Sequence, residues 1–509
     1  MTPSSSAGIS LLAAAILGIG AAVVVVVATN PHGPGLSPDS GVYLSTADAL
    51  ARGRGFRAYG EVPLTDFPPG YPLALAAWLE TIGGRPADAA RAVNAASVLA
   101  LAVLAALVLR RYIRRDALRV VGVVLVAGAP SVLHTGVTAW SEPLFAVCIM
   151  ACLLFLARSL ADGRVVDVAL AGAFASAGLM VRLVGAGLVL AGLLALVVGG
   201  PTATDRAEVV KRCLVFLGVA CLAPVAWLVS RMAITDSPLG VRKPPRADLL
   251  ENGGDAVTWM GHWFVPDTLS GPVRAIGYVA AAGALCAGAV MWARSRPPRT
   301  PAAVQGLWLP ALVAASVVGV TIVGASLTET DPLDFRLLAP ALAPSVLLVI
   351  AAIDRLLDRR PGRLAVALAG AFLVLWVAAV AAGDAAVWRD ARKGEGYADG
   401  YWRSSGLASV LGAISSDAPL YSNEPAAVWL LAGRDARCPS RALARVRCGG
   451  LSVPSDKRRK VLTPAYLAWF QGAEAGPVPH GRAGCRLSRV ATRRDGILFR
   501  VTGRACGTA

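Results

Sequence analysis

Asn30 to Tyr71, NPHGPGLSPDSGVYLSTADALARGRGFRAYGEVPLTDFPPGY, is the only long polar loop near the front of a chain that is otherwise mostly apolar, and it holds two carboxylates, Asp39 and Asp66. Ser37-Pro38-Asp39 predicts a helix start. Ser can accept from the free N–H groups of the first turn, Pro suits that turn because it has no N–H to leave unpaired, and the helix dipole favours a carboxylate there. The helix so opened carries Tyr43, Ala47 and Leu50 on one side, as suits an element lying along a membrane surface. The glycine-rich Arg52-Gly53-Arg54-Gly55 ends it. Asp66 stands directly before Phe67-Pro68-Pro69-Gly70-Tyr71-Pro72, where the prolines turn the chain back toward a bilayer. Two acids are thus presented at a membrane face.

Working outward, 56% of the 509 residues are apolar and only 16% are charged, against roughly 25% charged in soluble domains. The chain reads as a polytopic, α-helical membrane protein. Its first apolar segment, 9–28, has about the ~20 residues a spanning helix needs. Because no Lys or Arg precedes it, a retained helix is expected rather than a cleaved signal. Hydropathy then gives eleven spans, at about 9–28, 90–109, 119–135, 142–157, 165–180, 184–199, 213–230, 274–293, 304–326, 336–353 and 364–383. Alternate short turns carry the cations: Arg110, Arg111, Arg114, Arg115 and Arg119; Arg158 and Arg164; Arg206, Lys211 and Arg212; Arg294, Arg296 and Arg299; Arg355, Arg359, Arg360 and Arg363. The positive-inside rule places these turns in the cytoplasm and the acidic loop, 29–89, outside. Most of the formal charge of +17 is therefore topological, and nucleic acid is not an expected partner.

An odd span count from a cytoplasmic N-terminus puts the tail outside as well. Two domains follow: a transmembrane catalytic domain, 1–383, and a small extracytoplasmic α/β domain, 384–509, whose short helix and strand signals end in the hairpin-like RRDGILFRV (493–501). The tail holds 20 Lys and Arg against 10 Asp and Glu, an excess that suits anionic headgroups better than an anionic polymer. Cys148, Cys152, Cys213, Cys221 and Cys286 lie in or beside spans and read as core residues. Cys438, Cys448, Cys485 and Cys506 form an even external set, for which the local pairing of Cys438 with Cys448 and Cys485 with Cys506 is preferred among three.

Three further residues stand out. Glu142 lies at the mouth of the fourth span, as a helix-start carboxylate or as part of a site. Arg182 and Arg336 sit at span ends, and an ionisable residue at membrane depth calls for an anionic partner unless it snorkels to the interface as an anchor. The apolar stretch 72–82 is too short to span and is expected to enter the bilayer and return before Arg91. The loop 232–271, with Lys243, Arg246, Trp259, His262 and Trp263, could bind an acceptor or cover the site. The four histidines show no zinc spacing, and no phosphate-binding GxxxxGK[ST] loop is present.

PDSGVYL (38–44), ALARGRGF (49–56) and DFPPGYP (66–72) resemble the first external loop of the GT-C membrane glycosyltransferases, the class that includes protein O-mannosyltransferases and the aminoarabinose transferase of lipid A. That loop carries an acid after the first span and a second acid before a Pro-Pro pair. Further echoes are SEPLF (141–145), GLMVRLVG (178–185), FRLLAP (335–340) and YSNEPAAVWLLAGR (421–434). No Asp-Glu pair follows the first span as in protein mannosyltransferases, so protein is not the favoured acceptor. The resemblance implies a polyprenyl-phosphate sugar donor and a glycan, lipid or protein acceptor of the cell envelope, met at the outer face of the plasma membrane with inversion at the sugar.

In that scheme Asp39 is the base for the acceptor hydroxyl, since a positioned carboxylate can take its proton. Arg182 and Arg336 neutralise the departing phosphate. Asp66 and Glu142 orient the acceptor or hold a divalent cation, Mg or Mn. Two alternatives remain: an O-antigen-ligase-like transferase using a lipid diphosphate, which would centre on a large late loop, and a lipid or solute transporter, for which repeated hydropathy halves would be expected.

Overall fold

The structure is a computed structural model that describes residues 3–199, 206–235, 239–240, 244–264, 271, 307–328, 332–359, 362–415, 417–439, 448, 464–471, 479 and 485–503. It divides into two compact units, one of residues 1–28, 92–230 and 243–389, the other of 29–91, 231–242 and 390–509.

The first unit is helical, and it makes the chain a multi-pass membrane protein. Seven described helices are long and apolar enough to cross a bilayer: α1 (Pro3–Ala28), α4 (Pro86–Tyr112), α7 (Glu142–Asp162), α10 (Arg206–Met232), α12 (Trp308–Leu327), α13 (Phe335–Arg359) and α14 (Arg363–Ala391). Two shorter helices, α5 (Asp116–Ala127) and α6 (Pro130–Val137), reach that length and apolarity only when taken together, as a pair bent by 42°. The bend falls at Gly128-Ala129-Pro130, where Pro lacks the N–H that would continue the ladder. Of the eleven expected spans, 165–180 and 184–199 appear as α8 (Val165–Val181) and α9 (Ala186–Gly199), apolar helices shorter than the spanning test requires. The span expected at 274–293 lies outside the described residues.

Small residues let these helices close up, the usual device where lipid is as apolar as leucine. A Cβ on Gly172 of α8 would come 2.8 Å from the carbonyl oxygen of Phe216, and one on Gly192 of α9 would run into the Phe216 ring. At one end of the bundle the basic turns are met by acids. Arg115 pairs with Asp354 at 2.7 Å and with Asp358 at 2.9 Å, while Arg212 reaches Glu208 at 2.9 Å and the Gly163 carbonyl at 3.0 Å.

The second unit gathers the front loop and the tail. Here α2 (Pro38–Ala51) starts at Ser37 and ends at the glycine-rich turn, and the stretch after the proline pair forms α3 (Gly70–Thr81), which packs on α2 through Tyr43 and Tyr71, ring centroids 5.2 Å apart. Between them a short ribbon pairs β1 (Arg57–Ala58) with β2 (Val62–Pro63). The tail adds α15 (Gly400–Arg403), α16 (Gly406–Leu411) and α17 (Pro425–Ala432). With them stand β3 (Leu420–Ser422), β4 (Ala465–Phe470), β5 (Arg486–Arg493) and β6 (Gly496–Thr502). The four strands form one sheet in the order β3-β4-β6-β5, with β3 parallel to β4 and the rest antiparallel. Apolar side chains cover both faces: Leu467, Trp469 and Phe499 on one, Leu407, Val428, Phe470 and Leu498 on the other. Cys438 is bonded to Cys448, and Cys485 is also in a disulfide whose partner lies outside the described residues, as does Cys506.

Candidate functional site

Two clusters of chemistry-bearing side chains are built, one in each unit. In the membrane unit the sequence places Glu142 as the first residue of α7, followed by Pro143. The turn leading into it is held by Asn94, fully buried, whose side-chain amide donates to the Thr138 carbonyl at 2.7 Å and the Thr135 carbonyl at 3.4 Å. Arg182 sits where α8 stops, in extended backbone, and Gly185 folds the chain so tightly onto that helix end that a Cβ would come 2.3 Å from the Leu179 nitrogen. Arg336 is the second residue of α13.

These three side chains meet. Arg182 Nη1 donates to Glu142 Oε1 at 2.5 Å and to Ser141 Oγ at 3.2 Å, and Arg336 Nε donates to the same Glu142 oxygen at 2.6 Å. The Arg336 guanidinium also lies 4.3 Å from the centroid of the Trp140 ring, a cation–π contact. Glu142 is 1% exposed, and its Oε2 is buried with no hydrogen-bond partner among the described residues. Two guanidinium groups thus share one oxygen of one carboxylate. Two guanidinium groups held side by side in a poorly solvated place are suited to the oxygens of an anion. Asp334 lies just before α13 and accepts from the Leu337 N–H at 3.2 Å. Burial raises its carboxyl above the usual range, against the pull of that hydrogen bond and of Arg336.

In the second unit Asp39 stands in the first turn of α2, whose start is a reciprocal box. The Ser37 side chain accepts from the Ser40 N–H at 3.3 Å, and the Ser40 side chain accepts from the Ser37 N–H at 3.0 Å. Asp66 packs against the backbone of Gly240, where any Cβ would overlap its Oδ1. Both acids act on one residue, Tyr59. Burial first, then the negative charges of Asp39, Glu424 and Asp66, push its phenol far above the ordinary tyrosine range. Tyr59 is held by its N–H to Ser45 Oγ at 3.0 Å, and the next residue by the Gly60 N–H to Asp435 Oδ1 at 2.9 Å.

Glu424 and Tyr59 were not singled out from the sequence. Glu424 comes from the tail, ahead of α17, and accepts from the Tyr397 hydroxyl at 2.6 Å. A usable signal existed, since Glu424 lies inside the YSNEPAAVWLLAGR stretch already matched to GT-C enzymes. Within its own unit Glu142 holds two arginines, and within the other Asp66 belongs to the Tyr59 cluster. Among the described residues, no group of three or more His, Cys, Asp or Glu is arranged to hold a metal ion.

Residues 66–228 match the family model described as Dolichyl-phosphate-mannose-protein mannosyltransferase. The fold is shared with ArnT from Cupriavidus metallidurans bound to undecaprenyl phosphate, at 15% identity and a TM-score of 0.58, over 97% of this chain and 99% of that one. It is also shared with the mycobacterial arabinofuranosyltransferase AftD, at 15% identity and 0.55, over 96% of this chain and 40% of that one. The archaeal oligosaccharyltransferase AglB from Archaeoglobus fulgidus, in complex with an inhibitory peptide and a dolichol-phosphate, matches at 12% identity and 0.50, over 83% and 64%. No curated protein sequence matches significantly. Over residues 66–228 the chain is thus similar to a mannosyltransferase family, and over nearly its whole length it has the fold of the membrane protein ArnT.

Proposed function

We propose that this enzyme moves a sugar from a polyprenyl-phosphate donor to a hydroxyl of a cell-envelope acceptor on the outer face of the plasma membrane, with inversion at the anomeric carbon. The observation that carries the reading is the pair of guanidinium groups on one buried carboxylate, Arg182 and Arg336 on Glu142. It is supported by the family match and by the ArnT fold, whose solved form holds a polyprenyl phosphate.

The acceptor oxygen attacks the anomeric carbon as the bond to the phosphate oxygen breaks. Asp39 takes the hydroxyl proton, and the electron pair of the broken bond leaves on the polyprenyl phosphate. Arg182 and Arg336 meet that growing charge with fork-shaped donors matched to phosphate oxygens, in surroundings where water does not compete. Glu142 aims the two forks, and Asp66 orients the acceptor. A glycan or lipid acceptor is favoured over protein, because the Asp-Glu pair of the protein mannosyltransferases is missing after the first span.

The test is Asp39→Asn in purified enzyme supplied with a polyprenyl-phosphate sugar. The amide keeps the shape but cannot take the proton, so donor binding should persist while transfer falls by about 10² to 10⁴. Turnover within tenfold of wild type would remove Asp39 from the role. Lipid and glycan profiling of a deletion strain would identify the acceptor.

A further inference from the structure

A second site lies in the membrane unit, apart from the arginine pair. The chain between α5 and α6 opens a cavity of about 250 Å³ against the last turns of α14, lined by Val24, Gly128, Leu133, Asp384 and Trp388 among others. Most of this wall is hydrocarbon. The exception is Asp384, whose Oδ1 is buried with no hydrogen-bond partner among the described residues. Its Oδ2 lies 3.5 Å from where a Cβ on Gly128 would stand, so the missing side chain at 128 leaves the carboxylate open to the space.

A carboxylate in such a wall is costly unless a cation or donor meets it. Trp388 follows one helical turn later on the same face of α14 and brings an aromatic ring, which attracts cations. The two helices bordering the cavity, α1 and α14, are also sparsely covered by protein. Their outer faces expose Ile16, Ile19, Val23, Leu368, Val374 and Leu375. An occupant therefore comes from the bilayer.

The geometry points to a binding site for a phospholipid with a primary-ammonium headgroup, the ammonium seated between the Asp384 carboxylate and the Trp388 ring and the acyl chains along α1 and α14. A net-anionic headgroup does not suit this wall, because its charged lining residue, Asp384, is an acid. A primary ammonium can donate to the orphaned Oδ1, which a trimethylated one cannot.

Native mass spectrometry of the full chain, released from nanodiscs of equal parts dioleoylphosphatidylethanolamine, dioleoylphosphatidylcholine and dioleoylphosphatidylglycerol, tests this. The wild type should retain phosphatidylethanolamine at least fivefold over either competitor, and Asp384→Asn should erase that preference. Equal retention of the three lipids by the wild type, or an undiminished preference in Asp384→Asn, would overturn the site. Should the variant not fold, the wild type alone decides: its melting temperature should rise with added phosphatidylethanolamine and not with phosphatidylcholine, and equal responses would overturn the proposal. Transfer activity is not the readout, so failure here leaves the catalytic reading untouched.

Discussion

One helix, α13, carries a buried ion cluster at each end, and the two are finished differently. Near its C-terminus Asp354, with a side chain 2% exposed, accepts from Arg115 on one oxygen at 2.7 Å and from the Arg114 backbone N–H on the other at 2.9 Å. Acids and bases there are matched, and each oxygen of Asp354 has a donor. About 27 Å away along the helix, by its 1.5 Å rise per residue, Arg336 and Arg182 crowd onto one oxygen of Glu142, while the other has no partner among the described residues. The first cluster is closed, as a structural pair must be to offset its desolvation. The second gathers two guanidinium groups on a single carboxylate oxygen. That contrast in finish is what marks a joint off from the candidate site.

The largest effect should fall on the open end. Arg336→Gln or Arg182→Gln should lower transfer by about 10² to 10³, the usual result of removing one donor to a developing negative charge. Lys at either position should weaken donor use more than acceptor use, since it keeps the charge but not the fork. Kinetics with separately varied donor and acceptor would show this. If both Gln variants lost stability yet kept transfer per folded molecule, the two ends of α13 would both be joints.

The tail extends the comparison to a closed element outside the helices. Opening the Cys438–Cys448 bond, which spans a sequence separation of 10, with Ser at both positions should cost roughly 2 to 3 kcal/mol through loop entropy. Thermal melts should show this, while the variant that remains folded still transfers sugar. In intact cells a membrane-impermeant thiol reagent should label these cysteines only after reduction if the tail faces outward.

At the closed end of α13, Asp354→Asn should destabilise by about 2 kcal/mol, below the 3 to 5 of a fully dry pair because Arg115 remains about a third exposed. Transfer by the folded fraction should not change. A loss of transfer beyond the loss of folded protein would mean that the inner cluster also serves the reaction.

The smallest effect concerns Tyr59. Its phenol is raised in the fold, so the unfolded chain, with an ordinary pKa of about 10, ionises first. The stability this group contributes is whole below about pH 10 and is lost as the pH climbs above it. Tyr59→Phe should flatten that alkaline decline. An unchanged slope of melting temperature between pH 9 and 11 would show that the Tyr59 phenol is not raised in the fold.

Much of this was legible in the chain and some was not, for physical reasons. Ser37-Pro38 marked the start of α2, because capping is a local affair of three or four residues, and apolar length marked the long helices. Arg182 and Arg336 announced themselves as charges at span ends, but their shared oxygen on Glu142 could not be read, since three separate helices bring it about. Hydropathy passed over the bend in 119–135, because apolar content does not register a lost backbone hydrogen bond, although Gly128 and Pro130 were in plain view. Glu424 escaped because it reaches Tyr59 from the far end of the sequence. No periodicity encodes such a meeting.

The pairing of the front loop with the tail also bears on how the enzyme is made. The Leu36 N–H donates to the Glu395 carbonyl at 3.0 Å, and the Tyr397 N–H donates back to the Leu36 carbonyl at 2.9 Å. Ala426 of α17 seats against Gly41 with no room for a side chain there. These contacts join parts of the chain about 360 residues apart, so at 5 to 20 residues per second the ribosome needs roughly 20 to 70 seconds to supply the second half. Throughout that interval the segment bearing Asp39 and Asp66 waits without its final partner, and nascent chains arrested before residue 395 should carry both acids yet have no working enzyme. If Asp39 is the base, activity should therefore appear only once residues 395–426 have been made.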